Sequence, residues 1–170
     1  MRLFSAKVPV IAAEVVKKLV ADEDLEAENP AEVEKDVEGV LNEYLRLERE
    51  VLAKTKELMD ARKLPPSEFS RVKKSVAEQK GFKTGDEVVD FLLDQLVESF
   101  LYSNSVDEVF ASDLDLRRKM APVLKKHMAL DEELDREVRA RIKHVEEGTA
   151  AWDIEYQKAL DVVRRGRGVK

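Results

Sequence analysis

Few side chains in this sequence could do chemistry. The two histidines, His127 and His144, are the residues whose ordinary pKa lies nearest neutrality. A carboxylate-bridged metal site in a helical bundle needs inward-facing Glu-x-x-His pairs. Leu124 and Arg141 stand three residues before the histidines instead. The acidic run Asp22-Glu23-Asp24-Leu25-Glu26 begins like a calcium loop. Counted from Asp22, however, Ala27 takes the place of the required Gly and Val33 that of the required Glu, so the run reads as a solvated connector. No Gly-rich phosphate loop and no GxSxG is present. Zero cysteines exclude disulfides, thiolate metal sites and a cysteine nucleophile. No cofactor or metal is expected, and nothing in the sequence argues for catalysis.

Chemistry of recognition is left. Trp152 is the single tryptophan and stands one helical turn before Tyr156. Such aromatics anchor a core or make interface hot spots, and core anchoring is the preferred reading. Asp153 sits where a carboxylate complements the positive end of a helix. His127 falls on an apolar stripe, where it reads as a satisfied core or interface group, with a pH-sensitive contact as the sharper alternative. Basic residues gather late in the chain: Arg139, Arg141 and Lys143, then Arg164, Arg165, Arg167 and Lys170. The helix dipole favours cations at C-termini. The alternative is a patch for phosphates of RNA, DNA or a ribosome. A net charge of −6 and the neighbouring Asp131, Glu132, Glu133 and Glu137 oppose it, and no aromatic residues are interleaved for base stacking.

The elements that position these residues are helical. Apolar residues make up 44% and charged residues 39%, with only six Gly and five Pro to interrupt helices. A first helix is expected from about residue 6 to 21, with Ser5 as its cap. Asn29-Pro30-Ala31-Glu32 then opens a long helix that runs to about Arg62, before Pro65-Pro66. Its apolar stripe steps 33, 37, 40, 44, 47, 51, which is heptad spacing. Ser67 begins a shorter helix with Phe69, Val72 and Val76, closed by Gly81. Thr84-Gly85-Asp86-Glu87 offers a capping box for a helix that is apolar nearly all round, from Val88 to Leu101. Ser103-Asn104-Ser105 is a turn and Val106 to Ala111 a short helix. Ser112 to Leu116 opens a second long helix with the stripe 116, 120, 123, 127, 130, 134, 138. Thr149 caps a last helix ended by Gly166. No segment reads as a strand.

The halves repeat. Shifting residues 33–76 by 83 positions lays Val33 on Leu116, Val51 on Leu134, Met59 on Ile142 and Phe69 on Trp152 without a gap. Gly39 and Pro122, the helix breakers inside the long helices, become equivalent. The chain is therefore expected to be an all-α helical bundle built from two pseudo-repeated three-helix units, residues 1–83 and 84–170. The units share one core and include two long heptad-like helices.

The segments LDEELDRE (130–137), VRARI (138–142) and EGTAAWDIEYQK (147–158), with the opening MRLFSAKV, resemble the bacterial family catalogued as domain of unknown function 507. This chain would be its longer, tandem form. Glu155 stands where that family more often has an apolar residue, Ala159-Leu160 replace an aromatic pair, and the first half keeps only Phe69 of the Trp-Asp-Tyr signature. The resemblance implies a small helical bacterial protein and brings no activity, substrate or cofactor.

The function that follows is a non-enzymatic interaction or structural protein, acting through helix faces on itself, as in a homodimer, or on a protein partner. Its interface candidates are Tyr44, Leu47, Val51, His127, Leu130, Leu134, Trp152 and Tyr156. The alternative is a nucleic-acid- or ribosome-associated factor contacting phosphate through Arg139, Arg141, Lys143, Arg164, Arg165 and Arg167. Lys7 and Glu14 interrupt any signal-peptide core, and Val8 to Ala13 is far shorter than the roughly 20 residues of a membrane span, so no membrane role and a cytoplasmic setting are expected.

Overall fold

A computed structural model describes residues 1–169; Lys170 lies outside the described residues. Its order is α1 (Val8–Ala21), β1 (Leu25–Glu26), α2 (Pro30–Arg62), α3 (Phe69–Gln79), α4 (Glu87–Tyr102), β2 (Glu108–Val109), α5 (Asp113–Arg141) and α6 (Ala150–Gly166). The fold is all-α apart from the two short strands. They form an antiparallel ribbon, Leu25 opposite Val109 and Glu26 opposite Glu108. Val106 to Ala111 is thus extended where the sequence suggested a helix. Two residues are too few for alternation to register, and their partner lies far away in the chain.

The chain forms two compact units. The first takes Met1–Arg46 and Thr84–Ala129, which hold α1, α4, the ribbon and the N-terminal parts of α2 and α5. Its core is set by α1 and α4. Val8, Ile11, Ala12, Val15, Val16 and Leu19 are buried on α1, and Val88, Val89, Leu92, Leu93, Leu96, Val97 and Phe100 on α4. Apolar surface on most of a helix's circumference must be covered from several sides. Val33, Val37 and Leu41 of α2 and Leu116, Met120 and Leu124 of α5 belong to the same buried set. The second unit takes Leu47–Lys83 and the chain from Leu130 onward. Val51, Thr55 and Met59 of α2, Phe69, Val72 and Val76 of α3, Leu134 and Val138 of α5, and Tyr156, Leu160 and Val163 of α6 are its buried residues.

The buried faces of the long helices drift from the heptad stripe. Val40 and Leu47 are half-buried while Leu41 and Leu45 are inside. On α5, Leu130 is 45% exposed and Asp131 is buried in its place. An undistorted helix turns once per 3.6 residues, so a 3.5-residue pattern slides off the covered face over several turns. Thr55 is fully buried because its hydroxyl donates to the Val51 carbonyl at 2.7 Å, a bond that stays inside the helix.

Starts and stops follow local chemistry. Asn29 accepts the Ala31 N–H, and Ser112 both accepts the Asp115 N–H and donates to its carboxylate. Ser5 does not cap α1: residues Ser5–Lys7 form a 3-10 turn with no side-chain cap. Asp86 precedes α4 without a capping bond. Helices α1, α2, α3 and α6 end in one geometry: the residue after next returns a six-to-one hydrogen bond, as in Asp24 to Leu19, Leu64 to Met59, Phe82 to Ala77 and Val169 to Arg164. The residue between is left-handed, Glu23 (φ 57), Lys63 (φ 52), Gly81 (φ 66) and Gly168 (φ 67). Gly81 closes α3 as its position suggested, and α6 ends at Gly166 as expected, with Gly168 supplying the left-handed residue beyond it.

Glycine occupies this conformation without the clash that a Cβ brings. Lys63→Gly is therefore expected to stabilise the protein by about 0.5–1 kcal/mol, and Gly81→Ala to destabilise it by about 1 kcal/mol. Urea unfolding midpoints of the two variants check both signs.

Candidate functional site

Within the first unit, His127 on α5 and Tyr44 on α2 are both buried. Tyr44 lies against Phe91 of α4, ring centroids 6.2 Å apart. His127 meets α1: its Nε2 is 2.6 Å from Glu14 Oε2, and Lys126 Nζ lies 3.0 Å from the same carboxylate. The His127 Nδ1 is buried with no partner. A neutral ring with its proton on Nε2 suits this best, because a proton on Nδ1 would be a buried donor with no acceptor. The hydrogen bond from His127, and after it that from Lys126, holds the Glu14 carboxyl below its ordinary value of 4.5. His127 is thus a buried group bonded through Nε2 within its own unit.

In the second unit the start of α6 is tied down residue by residue. Thr149 accepts the Trp152 N–H at 3.1 Å and donates to the Glu146 carbonyl. Trp152 is half-buried and stacks on Tyr156 at 4.8 Å between centroids. Arg139 of α5 lies 5.2 Å over the indole, a cation–π contact. The Tyr156 hydroxyl donates to Asp135 of α5, and Asp153 pairs with Lys56 of α2. Arg139 itself bonds Asp135 at 2.8 Å and Glu147 at 2.9 Å. Burial acts to lower its pKa, but the two carboxylates outweigh that and hold it above the ordinary value. Before the helix, Gly148 adopts φ +91, and a Cβ there would lie 2.5 Å from the Phe69 ring. A cleft of about 440 Å³ beside it is lined by Lys56, Met59, Asp60, Leu64, Thr149 and Asp153, among others.

A family model described as "Protein of unknown function (DUF507)" matches residues 1–169. The chain belongs to that family. No curated protein matches it. In this DUF507 chain, the segment Glu147 to Tyr156 on which the resemblance rested is the clasp just described. Glu147 binds Arg139, Gly148 admits Phe69, Thr149 caps, and Trp152, Asp153 and Tyr156 fix α6 to α5 and α2.

The remaining candidates separate. Val51 and Leu134 are core residues, Leu47 is half-buried and Leu130 is exposed. Among the basic residues, Arg141 pairs with Glu137 at 3.3 Å and Arg167 with the same carboxylate at 2.8 Å. Arg165 donates to the Asp161 carbonyl, Arg164 is half-buried with a partner, and Lys143 stands exposed. Three of the six, Arg139, Arg141 and Arg167, are matched by carboxylates from their own unit. Among the described residues, no three His, Asp or Glu side chains converge as metal ligands would.

No local pattern of residues announces the acidic ribbon. Lys119 neutralises Asp24 at 2.6 Å and Asp22 at 3.2 Å, and Asp107 accepts the Glu28 N–H. Glu26 and Glu108 face each other across the strands, where like charges cost about 0.2–1 kcal/mol. With Glu23, their carboxylates take no hydrogen bond or ion pair from the described residues. Beside them Val20, Leu25, Ala27 and Phe110 line a hollow of about 520 Å³. The signal was available only through the 83-residue offset, which lays residues 25–26 on 108–109.

Two outcomes are expected. Because the folded pKa of Glu14 is depressed, its pairing stabilises the fold above the unfolded value and is lost as pH falls through the lower folded one. The stability gap between the parent and Glu14→Gln should therefore narrow from about pH 6 to about pH 3 in urea titrations. Gly148→Ala should cost about 2–3 kcal/mol through strain and overlap with Phe69, and Phe69→Leu in the same chain should recover part of it.

Proposed function

We propose that this chain is a non-enzymatic interaction protein, built by duplication of one helical unit and docking a protein partner on a surface where the second copy carries the larger apolar side chains. The duplication is supported at several levels. Residues 25–26 of β1 fall on 108–109 of β2, the first residue of α2 (Pro30) falls on that of α5 (Asp113), and cap Asn29 falls on cap Ser112, all at an offset of 83. The compact units divide the long helices after Arg46 and after Ala129, again 83 apart. In the ribbon each strand's first position meets the other's second, the reciprocal arrangement that an isologous contact requires. Tyr44 of α2 meets Phe91 of α4, and His127 of α5, its equivalent, meets Glu14 of α1. The heptad stripes fit this use: they are occupied within the chain.

The observation that carries the functional reading is a difference between the copies. Tyr102 is 80% exposed, Leu114 73%, Phe110 58% and Leu101 55%. Ala27 and Ala31 stand at the equivalents of Phe110 and Leu114 at the offset of 83. The buried faces of α1 and α4 match at an offset of 81, which lays Val20 and Ala21 on Leu101 and Tyr102. A copy that folds with smaller side chains there indicates that the fold does not need the larger ones, and exposed apolar side chains of this kind mark association surfaces. A cytoplasmic setting agrees with the lack of cysteine. A phosphate-binding role draws less support, since Arg139, Arg141 and Arg167 already face carboxylates.

The test is capture of partners from the native cell by the tagged protein at about 50 mM and about 500 mM salt. Capture should survive the higher salt and fall at least about tenfold in Tyr102→Glu/Leu114→Glu, a loss of roughly 1.4 kcal/mol or more. Loss with salt and on removal of residues 164–170, with the double variant unaffected, would establish the phosphate-binding alternative. Failure only in Leu130→Glu would move the surface to the exposed edge of α5.

A further inference from the structure

The hollow beside the β1–β2 ribbon joins two properties that the rest of the surface keeps apart. Its apolar lining comes from Val20, Leu25, Ala27 and Phe110, of which Leu25 is buried and Phe110 is 58% exposed. Its volume of about 520 Å³ is that of a pocket for a few side-chain-sized groups. Glu23 and Glu26 line it, and Glu108 lies directly opposite Glu26 across the strands.

These three carboxylates differ from their neighbours. Asp22 and Asp24 have Lys119, and Asp107 has the Glu28 N–H. The side-chain carboxylates of Glu23, Glu26 and Glu108 take no hydrogen bond or ion pair from the described residues. Burial against a neutral apolar partner would bring the Glu26–Glu108 repulsion into a lower dielectric and make it worse. A cation placed between them would remove it. Lys and Arg are the residues that carry a charge on an apolar stem, so their stems can follow the hollow while the head meets the carboxylates.

We propose that this hollow docks a segment of a partner protein that presents Lys or Arg beside a large apolar anchor. The anchor enters against Leu25 and Phe110, and the cation lies between Glu26 and Glu108 with Glu23 at the rim. The inference rests on the reading of the chain as an interaction protein and names the chemistry of its partner. The pairing supplies specificity as well as attraction, because an acidic or neutral segment would leave the two glutamates unpaired and less hydrated.

The experiment is selection of random twelve-residue peptides on the intact protein, followed by titration of the enriched peptides by NMR. Enriched peptides should carry Lys or Arg within a few residues of Phe, Leu, Trp or Met, and should shift the amides of residues 23–27 and 107–111. Glu26→Lys/Glu108→Lys should weaken them at least about tenfold, Phe110→Ser comparably, and Glu26→Gln/Glu108→Gln by less. All these side chains are exposed, so the variants should keep the parent circular dichroism spectrum. No enrichment, peptides without basic residues, or binding indifferent to these variants would overturn the proposal. So would shifts confined to other regions, or a mass that doubles with concentration and is lost in the lysine variant, which would make a second copy the occupant. If partner capture fails in Tyr102→Glu/Leu114→Glu but is untouched by the glutamate variants, this inference falls and the broader reading stands. If neither set affects capture, both fall.

Discussion

The rest of the first unit depends on the need to cover α1 and α4. Their apolar residues spread around most of each helix, and Ile11, Leu19, Leu92, Leu96 and Phe100 are among the largest side chains that water does not reach. Leaving such a side chain exposed costs roughly 1.5–3 kcal/mol. The N-terminal parts of α2 and α5 have apolar faces of their own, in Val33, Val37 and Leu41 and in Leu116, Met120 and Leu124. Covering the first pair therefore also satisfies the second. The stripe that would serve for self-association in an isolated coiled coil is consumed within the chain.

Charge is distributed around that core by a complementary rule. With 39% charged residues, most must find opposite partners or water. Where a charge comes near the core it is paired: Asp24 with Lys119, His127 with Glu14, Arg139 with Asp135 and Glu147. Isolated charges there would pay desolvation without return. Surface pairs such as Lys35 with Glu32 add little stability. Against this background the two facing glutamates of the ribbon stand out, since no side chain among the described residues answers them.

The clasp at the start of α6 shows how unusual residues can be structural. A glycine with positive φ, a capping threonine, a stacked tryptophan and a tyrosine bonded to aspartate would each attract attention in a search for an active site. Here each has a mechanical partner: Gly148 with Phe69, Thr149 with the Trp152 amide, Trp152 with Arg139 and Tyr156 with Asp135. Their spacing follows from the geometry of one helix start packed on a second helix.

The sequence by itself determined the helices and their limits wherever the cause was local. Asn29-Pro30 starts α2 and Arg62 ends it, Thr149 caps α6, and Gly81 closes α3, because capping and left-handed termination act within a few residues. It also determined the 83-residue periodicity of the apolar pattern. Only the tertiary structure decided what depends on residues distant in the chain: that 108–109 pair with 25–26 as strands, that Asp131 turns inward and Leu130 outward, that His127 meets Glu14, and that Arg139 and Arg167 face carboxylates. These outcomes were illegible because a hydrophobic pattern specifies how much of a helix must be covered, not which distant surface covers it. Pairing partners, and with them the groups left unpaired, are fixed when the helices meet.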